Sequence, residues 1–250
     1  MRKLVFFLLL FMGTGGFAWQ LDLQSSQKLD QNLGVLYQFK AYQYKHFPVW
    51  VNMVALNSNY HATLYIQHKD DIKNLSDIAK QMQAVVASNG GFYREGFVVN
   101  GLLINHQRKY ARFVKNSLLS GIVTINEAGK VTLLPRSGAY QHAYSAFQTG
   151  PVLIQNGDIK PVDDKAMARR IVYAQDKNGR LFILFFDNVT LMQAAKITQL
   201  LARYLKLDFK IAVNFDGGKA AALYANGTKS PLILDEVVPV KSIILFTAER

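Results

Sequence analysis

The sequence predicts an α+β fold with a mixed, mostly antiparallel sheet core and at least two long packed helices. Short apolar runs rich in Val, Tyr and Phe recur along the chain and are separated by turn residues, a pattern typical of antiparallel strands. Two other segments, residues 75–85 and 190–205, place their apolar side chains at helical spacing. No Pro-, Gly- or Ser-rich linker divides the chain, so we expect one domain over residues 19–250.

The first half predicts a meander of strands over residues 33–44, 49–56 and 61–68, followed by the helix over 75–85 with Ser76 as a candidate N-cap. The central part predicts further short strands between turns. Their ranges are 97–104, 120–125, 130–134, 148–154, 170–174 and 181–186. The second helix starts near Thr190, a good capping residue, and strands over 209–215 and 237–246 complete the sheet.

The N-terminus has the order of a secretory signal peptide: Arg2 and Lys3, then the apolar run of residues 4–12, then a small-residue stretch. The apolar run is shorter than the ~20 residues that a membrane-spanning helix needs. We expect cleavage after Ala18 and a periplasmic or secreted product. Since the chain has no Cys, disulfides, thiol nucleophiles and thiolate metal sites are excluded.

The charge balance favours anionic partners. The formal net charge is +12, and loss of Arg2 and Lys3 with the signal peptide would leave +10. The basic residues are dispersed, with no run of Lys and Arg longer than two, which argues against a dedicated nucleic-acid arm. We therefore expect an anionic carbohydrate or a sugar phosphate as partner, and neither nucleic acid nor a membrane span.

Two similar turns are the main candidates for chemistry. Residues 84–91 and 211–218 are both apolar runs that end in a short polar side chain and a glycine pair, Asn89-Gly90-Gly91 and Asp216-Gly217-Gly218. Glycine pairs let a ligand approach the backbone, and their N–H groups can bind an oxyanion. Tight turns in which Asn and Asp bond only their own backbone are the alternative. If the strand alternation continues, Asn214 and Asp216 point to the same side.

The order of these motifs resembles the phosphodiester glycosidase domain. The motifs are Asn89-Gly90-Gly91-Phe92-Tyr93, Gly101-Leu102-Leu103-Ile104, Gln148-Thr149-Gly150-Pro151, Arg170 ahead of residues 176–179, Thr190 opening a helix, and Asn214-Phe215-Asp216-Gly217-Gly218. The resemblance covers residues 45–246. It implies hydrolysis of sugar phosphodiesters, and many bacterial members of the family are exported.

The resemblance implies that Asn89, Arg170 and Asp216 share a catalytic pocket. Arg170 would bind the phosphodiester through its guanidinium fork. Asp216 would be a general acid or base, a nucleophile, or a carboxylate that stabilises positive charge on the sugar. Asn89 would orient the sugar or phosphate through its amide. The further candidate substrate-binding residues are Gly90, Gly91, Gln148, Thr190, Asn214, Gly217, Gly218 and Lys219, and Thr190 could instead serve only as the helix cap.

The chain departs from the family pattern directly after Asp216-Gly217-Gly218. The family usually has another Gly and a Ser, whereas this chain has Lys219 and Ala220. After Arg170 the family has a small polar residue and a Gly, where Ile171 and Ala174 stand here. Lys219 could supply phosphate contacts as a point charge, or the protein could be a noncatalytic glycan-binding or phosphate-binding module of envelope polysaccharide assembly or surface attachment.

Metal and cofactor sites have little support. The five His residues show no metal-binding spacing, and no Ser lies in a Gly-x-Ser-x-Gly setting. The pairs Asp70-Asp71 and Asp163-Asp164 are interpreted as solvated loop charges, although either could take a hard cation such as calcium or magnesium. The leading hypothesis is an exported hydrolase of sugar phosphodiesters without a cofactor, and the alternative is the noncatalytic module on the same scaffold.

Overall fold

A computed structural model describes residues 18–43, 47–162 and 165–249 of the chain. Residues 1–17 of the expected signal peptide and the Asp163-Asp164 pair lie outside the described residues.

Strands dominate the described part of the chain, and all their pairings are antiparallel. In chain order they are β1 (Gln20–Lys28), β2 (Gly34–Tyr42), β3 (Val49–Leu56), β4 (Tyr60–Ile66), β5 (Val86–Asn89), β6 (Tyr93–Arg94), β7 (Val98–Val99), β8 (Leu103–Asn105), β9 (Arg108–Ala111), β10 (Gly121–Ile125), β11 (Val131–Pro135), β12 (Ser145–Thr149), β13 (Val152–Gln155), β14 (Asp158–Ile159), β15 (Ala168–Asp176), β16 (Leu181–Val189), β17 (Phe209–Asn214), β18 (Leu223–Ala225), β19 (Leu232–Leu234) and β20 (Ser242–Ala248).

The helices of the described residues are α1 (Leu75–Gln81) and α2 (Leu191–Tyr204), with 3-10 turns at Asp30–Asn32, Glu95–Phe97 and Gly218–Ala220. Neither α-helix has the length and apolar character needed to cross a bilayer.

The strands form three sheets and one small hairpin. The large sheet has the order β1-β2-β3-β16-β15-β17-β13-β14, the second has β11-β10-β12-β8-β9, and the third has β19-β18-β5-β20-β4. Strands β6 and β7 pair only with each other. The two strands that precede the glycine turns therefore lie in different sheets, β5 in the third and β17 in the large one.

The main hydrophobic core lies between the sheets, because its buried side chains come from strands of all three. Tyr173, Phe215 and Phe246 are among the largest of them, and Tyr173 stacks on Phe215 with ring centroids 4.2 Å apart. A second cluster packs α2 against the other face of the large sheet, and a third packs α1 against the third sheet. Together the clusters bring the ends of β5 and β17 to one site.

The expectation of at least two long helices is wrong for the first helix, which has only 7 residues. Met82 is its C-cap, and Gln83 follows in the left-handed region at φ 55°. Val85 then hydrogen-bonds to the third sheet through Phe246, so its apolar side chain belongs to the strand region and not to the helical face. The second helix is 14 residues long, close to its expected range.

Three predicted strands differ from the structure. The run 97–104 splits into β7 and β8 around Gly101, whose φ of 109° only glycine adopts readily. The run 148–154 splits between the second sheet and the large sheet at Gly150-Pro151. The last run begins only at Ser242, because residues 237–240 hydrogen-bond to the backbone of Lys219 and to the side chains of Gln67 and Tyr93 instead of pairing as a strand.

Candidate active site

The two glycine turns meet in the structure. Asn89 ends β5, and its Nδ2 donates to the backbone carbonyl oxygen of Asp216 at 2.8 Å. Its Oδ1 accepts from the N–H of Ala222 at 3.0 Å, and the side chain is 1% exposed. Through these contacts within the protein, Asn89 positions the Asp216 turn.

Arg170 reaches the same turn from β15, which pairs with β17. The backbone N–H of Phe215 donates to Ile171 at 2.8 Å and brings the turn beside Arg170. A Cβ atom added to Gly217 would lie 3.4 Å from Cδ and 3.6 Å from Nη1 of Arg170. The three positions that were predicted to be catalytic therefore lie together.

The guanidinium of Arg170 is held by the backbone around it. Its Nη2 donates to Ala166 at 2.8 Å and its Nε to Val189 at 3.4 Å. Within the described ranges, Arg170 and Asp216 form no ion pair. The side chain of Arg170 lies beside Gly217 of this turn.

A cleft of about 470 Å³ opens beside Asp216. Asp216, Gly217, Lys219 and Ala220 line it, together with Ile72, residues 93–97 of the β6–β7 hairpin and residues 238–239. Lys219 is exposed, as are Arg94 and Glu95 on the hairpin, so the lining of the cleft holds two cationic side chains and a second carboxylate besides Asp216.

Burial raises the pKa of Asp216 to about 7 from its ordinary 3.8, and a hydrogen bond from the backbone N–H of Gly217 opposes the shift. A carboxyl group with this pKa exchanges a proton near neutral pH. Tyr93, which also lines the cleft, has its pKa raised to about 12 by burial and further by the negative charges of Asp216 and Glu236. Its hydroxyl group donates to the carbonyl oxygen of Pro239.

The segment over residues 235–239 is a wall of this site that no sequence pattern indicated. Arg169 donates to the carbonyl oxygen of Asp235 at 3.0 Å, and the N–H of Val237 donates to that of Lys219 at 2.7 Å. The carboxylates of Asp235 and Glu236 accept from the N–H groups of residues 76 and 75 at the start of α1. The sequence around Asp235 and Glu236 shows neither helical nor strand spacing, so it did not predict that these carboxylates bind the start of α1.

The side-chain amide of Gln148, a predicted substrate-binding residue, makes four hydrogen bonds within the protein. Its Oε1 accepts from Leu102 at 2.9 Å and from Val114 at 2.8 Å, while its Nε2 donates to Val114 at 2.9 Å and to Leu119 at 3.3 Å. These four hydrogen bonds use the amide completely. Gln148 thereby joins β12 to the backbone at Leu102, Val114 and Leu119.

Thr190 caps α2 in a reciprocal capping box. Its side-chain oxygen accepts from the N–H of Gln193 at 3.1 Å, and its own N–H donates to the side chain of Gln193 at 2.9 Å. Of the two roles left open for this hydroxyl group, the structure supports the cap.

Asn214 is buried, whereas Asp216 lines the cleft. The strand ends at Asn214, so the alternation expected to place both side chains on one side does not continue to Asp216. The Nδ2 of Asn214 donates to Gly150 at 2.9 Å and to Phe215 at 2.7 Å. The hydrogen bond to Gly150 connects the end of β17 to the turn between β12 and β13.

Three of the candidate glycines lie in close packing, against a side chain at Gly90 and against backbone at Gly91 and Gly217. A Cβ atom on Gly90 would lie 2.5 Å from Oγ of Ser242, one on Gly91 2.8 Å from the carbonyl oxygen of Gln148, and one on Gly217 2.9 Å from that of Arg169. Gly218 differs, since nothing lies within 4 Å of its Cβ position and its φ is 61°. Of these, Gly217 also lines the cleft.

The described residues contain no group of three or more His, Cys, Asp or Glu side chains arranged to hold a metal ion.

Comparison with known proteins gives the same fold. A hypothetical protein from Synechocystis matches with a TM-score of 0.60 and 14% identity, over 94% of this chain and 68% of its own. A second match is the catalytic domain of zebrafish N-acetylglucosamine-1-phosphodiester alpha-N-acetylglucosaminidase, auto-inhibited by its pro-peptide. It has a TM-score of 0.59 and 16% identity, over 96% of this chain and 85% of its own. A protein of Burkholderia pseudomallei described as exported matches with a TM-score of 0.51 and 10% identity, over 92% and 86%. No curated protein sequence matches the chain.

The family assignment comes from the sequence itself. The model of the phosphodiester glycosidase family matches residues 82–247, which include both glycine turns, Arg170 and most of the three sheets. The resemblance found in the motifs is thereby confirmed, and the chain belongs to the phosphodiester glycosidase family.

Proposed function

We propose that the protein is an exported hydrolase that cleaves the glycosidic bond between a sugar and a phosphate in a phosphodiester. The observation that carries the proposal is the carboxyl group of Asp216, which lies in a cleft with a pKa of about 7. Glycoside hydrolysis needs a carboxyl group that handles a proton at the pH of the reaction. Membership of a hydrolytic family supports the same assignment.

The chemistry assigns Asp216 the role of base. A phosphate monoester is a good leaving group and needs little protonation, whereas the attacking water must lose a proton. In this step the water oxygen bonds to the anomeric carbon, the bond from that carbon to the phosphate oxygen breaks, and the phosphate leaves with the bonding electrons. Asp216 takes the proton from the water and later returns it to solvent.

The rest of the cleft supplies the binding groups. Lys219 and Arg94 are the cations nearest to the volume beside Asp216, and we assign the phosphate to them. Arg170 adds positive charge behind Gly217. The rings of Tyr93 and Phe97, whose centroids are 5.5 Å apart, provide an aromatic surface for the sugar.

Release of free N-acetylglucosamine from its methyl 1-phosphodiester tests the proposal. This sugar is the one in the name of the zebrafish relative, and a panel of other sugars extends the assay. We expect wild type to release sugar and Asp216→Asn to lose at least about 100-fold in kcat/KM, as for loss of a general base. Asp187→Asn is the matched control, because Asp187 is a half-buried carboxyl group of raised pKa on β16 that lies outside the cleft.

Sugar-phosphate binding without turnover by wild type would instead identify a noncatalytic module. Equal loss in both variants would mean that the effect is structural.

A further inference from the structure

Three exposed aliphatic residues either line the cleft or adjoin a lining residue, and we term them the apolar rim: Ile72, Val98 and Val237, with exposed fractions of 43%, 58% and 68%. Ile72 lines the cleft directly. Val98 is paired with Arg94 across the β6–β7 hairpin, so both side chains lie on one face of it, and Arg94 lines the cleft. Val237 precedes the lining residue Val238.

The apolar rim adjoins both cations of the cleft. Val98 lies opposite Arg94, and the N–H of Val237 donates to the backbone of Lys219 at 2.7 Å. A phosphate bound at Lys219 and Arg94 would therefore lie on the part of the surface to which Val98 and Val237 belong. Single exposed apolar residues are common on protein surfaces, but three around one cleft form a patch of the kind that marks a binding site.

The apolar rim is better suited to an aliphatic group than to a hydroxyl-rich group such as a sugar. Branched aliphatic side chains neither donate nor accept hydrogen bonds, and they lack the flat face that Tyr93 and Phe97 offer to a sugar ring. An aliphatic chain leaves water when it covers them, which is favourable. The cleft thus combines the carboxyl groups of Asp216 and Glu95 and two cations with adjoining aliphatic residues.

We infer that the alcohol on the far side of the phosphate is a long aliphatic chain, so that the substrate is a lipid-linked sugar 1-phosphate. This inference rests on the proposed function, since it names the substrate class of the same cleft. The sugar lies at Asp216, the phosphate at Lys219 and Arg94, and the chain leaves the cleft across the apolar rim.

Two phosphodiesters of one sugar test the inference. The methyl and octyl 1-phosphodiesters of N-acetylglucosamine differ only in the aliphatic chain, and octyl stays monomeric at assay concentrations. Each methylene group that leaves water contributes about fourfold, so burial of a few of them gives a preference for the octyl ester of at least about tenfold in kcat/KM. The variant Ile72→Ser/Val98→Ser/Val237→Ser is expected to reduce this ratio to about one.

The matched control is Leu23→Ser/Met82→Ser/Leu118→Ser, which removes three exposed apolar side chains outside the cleft. It should retain the octyl preference. An equal ratio for both esters in wild type, or the same loss in both triple variants, would overturn the inference.

Binding of octyl phosphate and methyl phosphate, measured by calorimetry, separates the inference from the proposed function. Tighter binding of octyl phosphate to wild type, lost in the apolar-rim variant, supports the inference even where no sugar is released. Equal binding of the two phosphates refutes it, while hydrolysis of the methyl ester would still support the proposed function.

Discussion

The side-chain amide of Asn89 donates to the backbone carbonyl oxygen of Asp216 at 2.8 Å, and this bond joins the ends of two strands from different sheets. The same amide accepts from the N–H of Ala222, on the far side of the turn. One buried side chain therefore holds the loop that carries the proposed base from both ends.

Asn89→Ala is expected to destabilise the fold and to lower activity together. The substitution leaves the carbonyl oxygen of Asp216 and the N–H of Ala222 without partners, which costs about 2 to 4 kcal/mol of the free energy of unfolding. Urea denaturation measures this loss, with the exposed Asn188→Ala as control. Unchanged stability with lost activity would show that the amide serves the substrate instead.

Gly217→Ala should displace the turn. Its Cβ atom would lie 2.9 Å from the carbonyl oxygen of Arg169, closer than real Cβ contacts allow, so the backbone beside Asp216 must move. Misplacement of a catalytic group by about 1 Å costs up to ~100-fold, and we expect kcat/KM to fall by at least about tenfold. Gly179→Ala, where the added Cβ meets only open space at φ 81°, should cost about 1 kcal/mol of stability and no activity.

Thr190→Ala separates the two roles that the sequence left open for this hydroxyl group. As the cap of α2, it should contribute about 1 kcal/mol to the free energy of unfolding. The kcat/KM should stay within about twofold of wild type, since the hydroxyl group is engaged by the helix. Thr190→Ser is expected to restore the stability. A large loss of kcat at unchanged stability would assign the hydroxyl group to the reaction.

The meeting of the two turns could be predicted from the sequence, whereas the partners of the amides could not. A buried strand followed by a short polar residue and two glycines places that residue at a sheet end, and the family motif fixes which ends meet. Gln148 and Asn89 look like ligand-binding amides in the sequence, yet each bonds to backbone many residues away. Spacing along the chain carries no information about such contacts.

Some strands, too, could not be predicted from the sequence. Buried strands such as β16 appear as apolar runs, but β1 was not predicted, because most of its nine residues are exposed and polar. It pairs along the edge of the large sheet through its backbone. The short first helix was overestimated because Val85, at helical spacing from Ile78 and Met82, packs with a strand.

The raised pKa of Asp216 predicts that removal of its charge stabilises the protein at high pH. The folded state holds the proton up to about pH 7, whereas the unfolded chain releases it near pH 3.8. The contribution of this carboxyl group to the free energy of unfolding is therefore fully present below about pH 4 and is lost above about pH 7. Asp216→Asn has no carboxyl group at this position, so its free energy of unfolding does not fall in this way as the pH rises. Relative to wild type, the variant should gain about 1 to 3 kcal/mol between pH 4 and pH 8, with partial exposure limiting the effect.

Urea denaturation of both proteins at the two pH values measures this difference, and other titrating groups cancel in the comparison. A constant difference across the range would mean that the carboxyl group titrates normally.

The dependence of kcat/KM on pH decides between the base and the acid role of Asp216, because this ratio reports the pKa values of the free enzyme. A base must be ionised, so kcat/KM should rise tenfold per pH unit below about pH 7 and level off above it. A general acid would give the opposite limb, with activity falling above about pH 7. In Asp216→Asn the residual activity should lose this limb, while Asp187→Asn should keep it. A profile in wild type that is flat between pH 5 and 8 would show that activity depends on no carboxyl group that titrates near pH 7, and would contradict both the base and the acid role of Asp216 at this pKa.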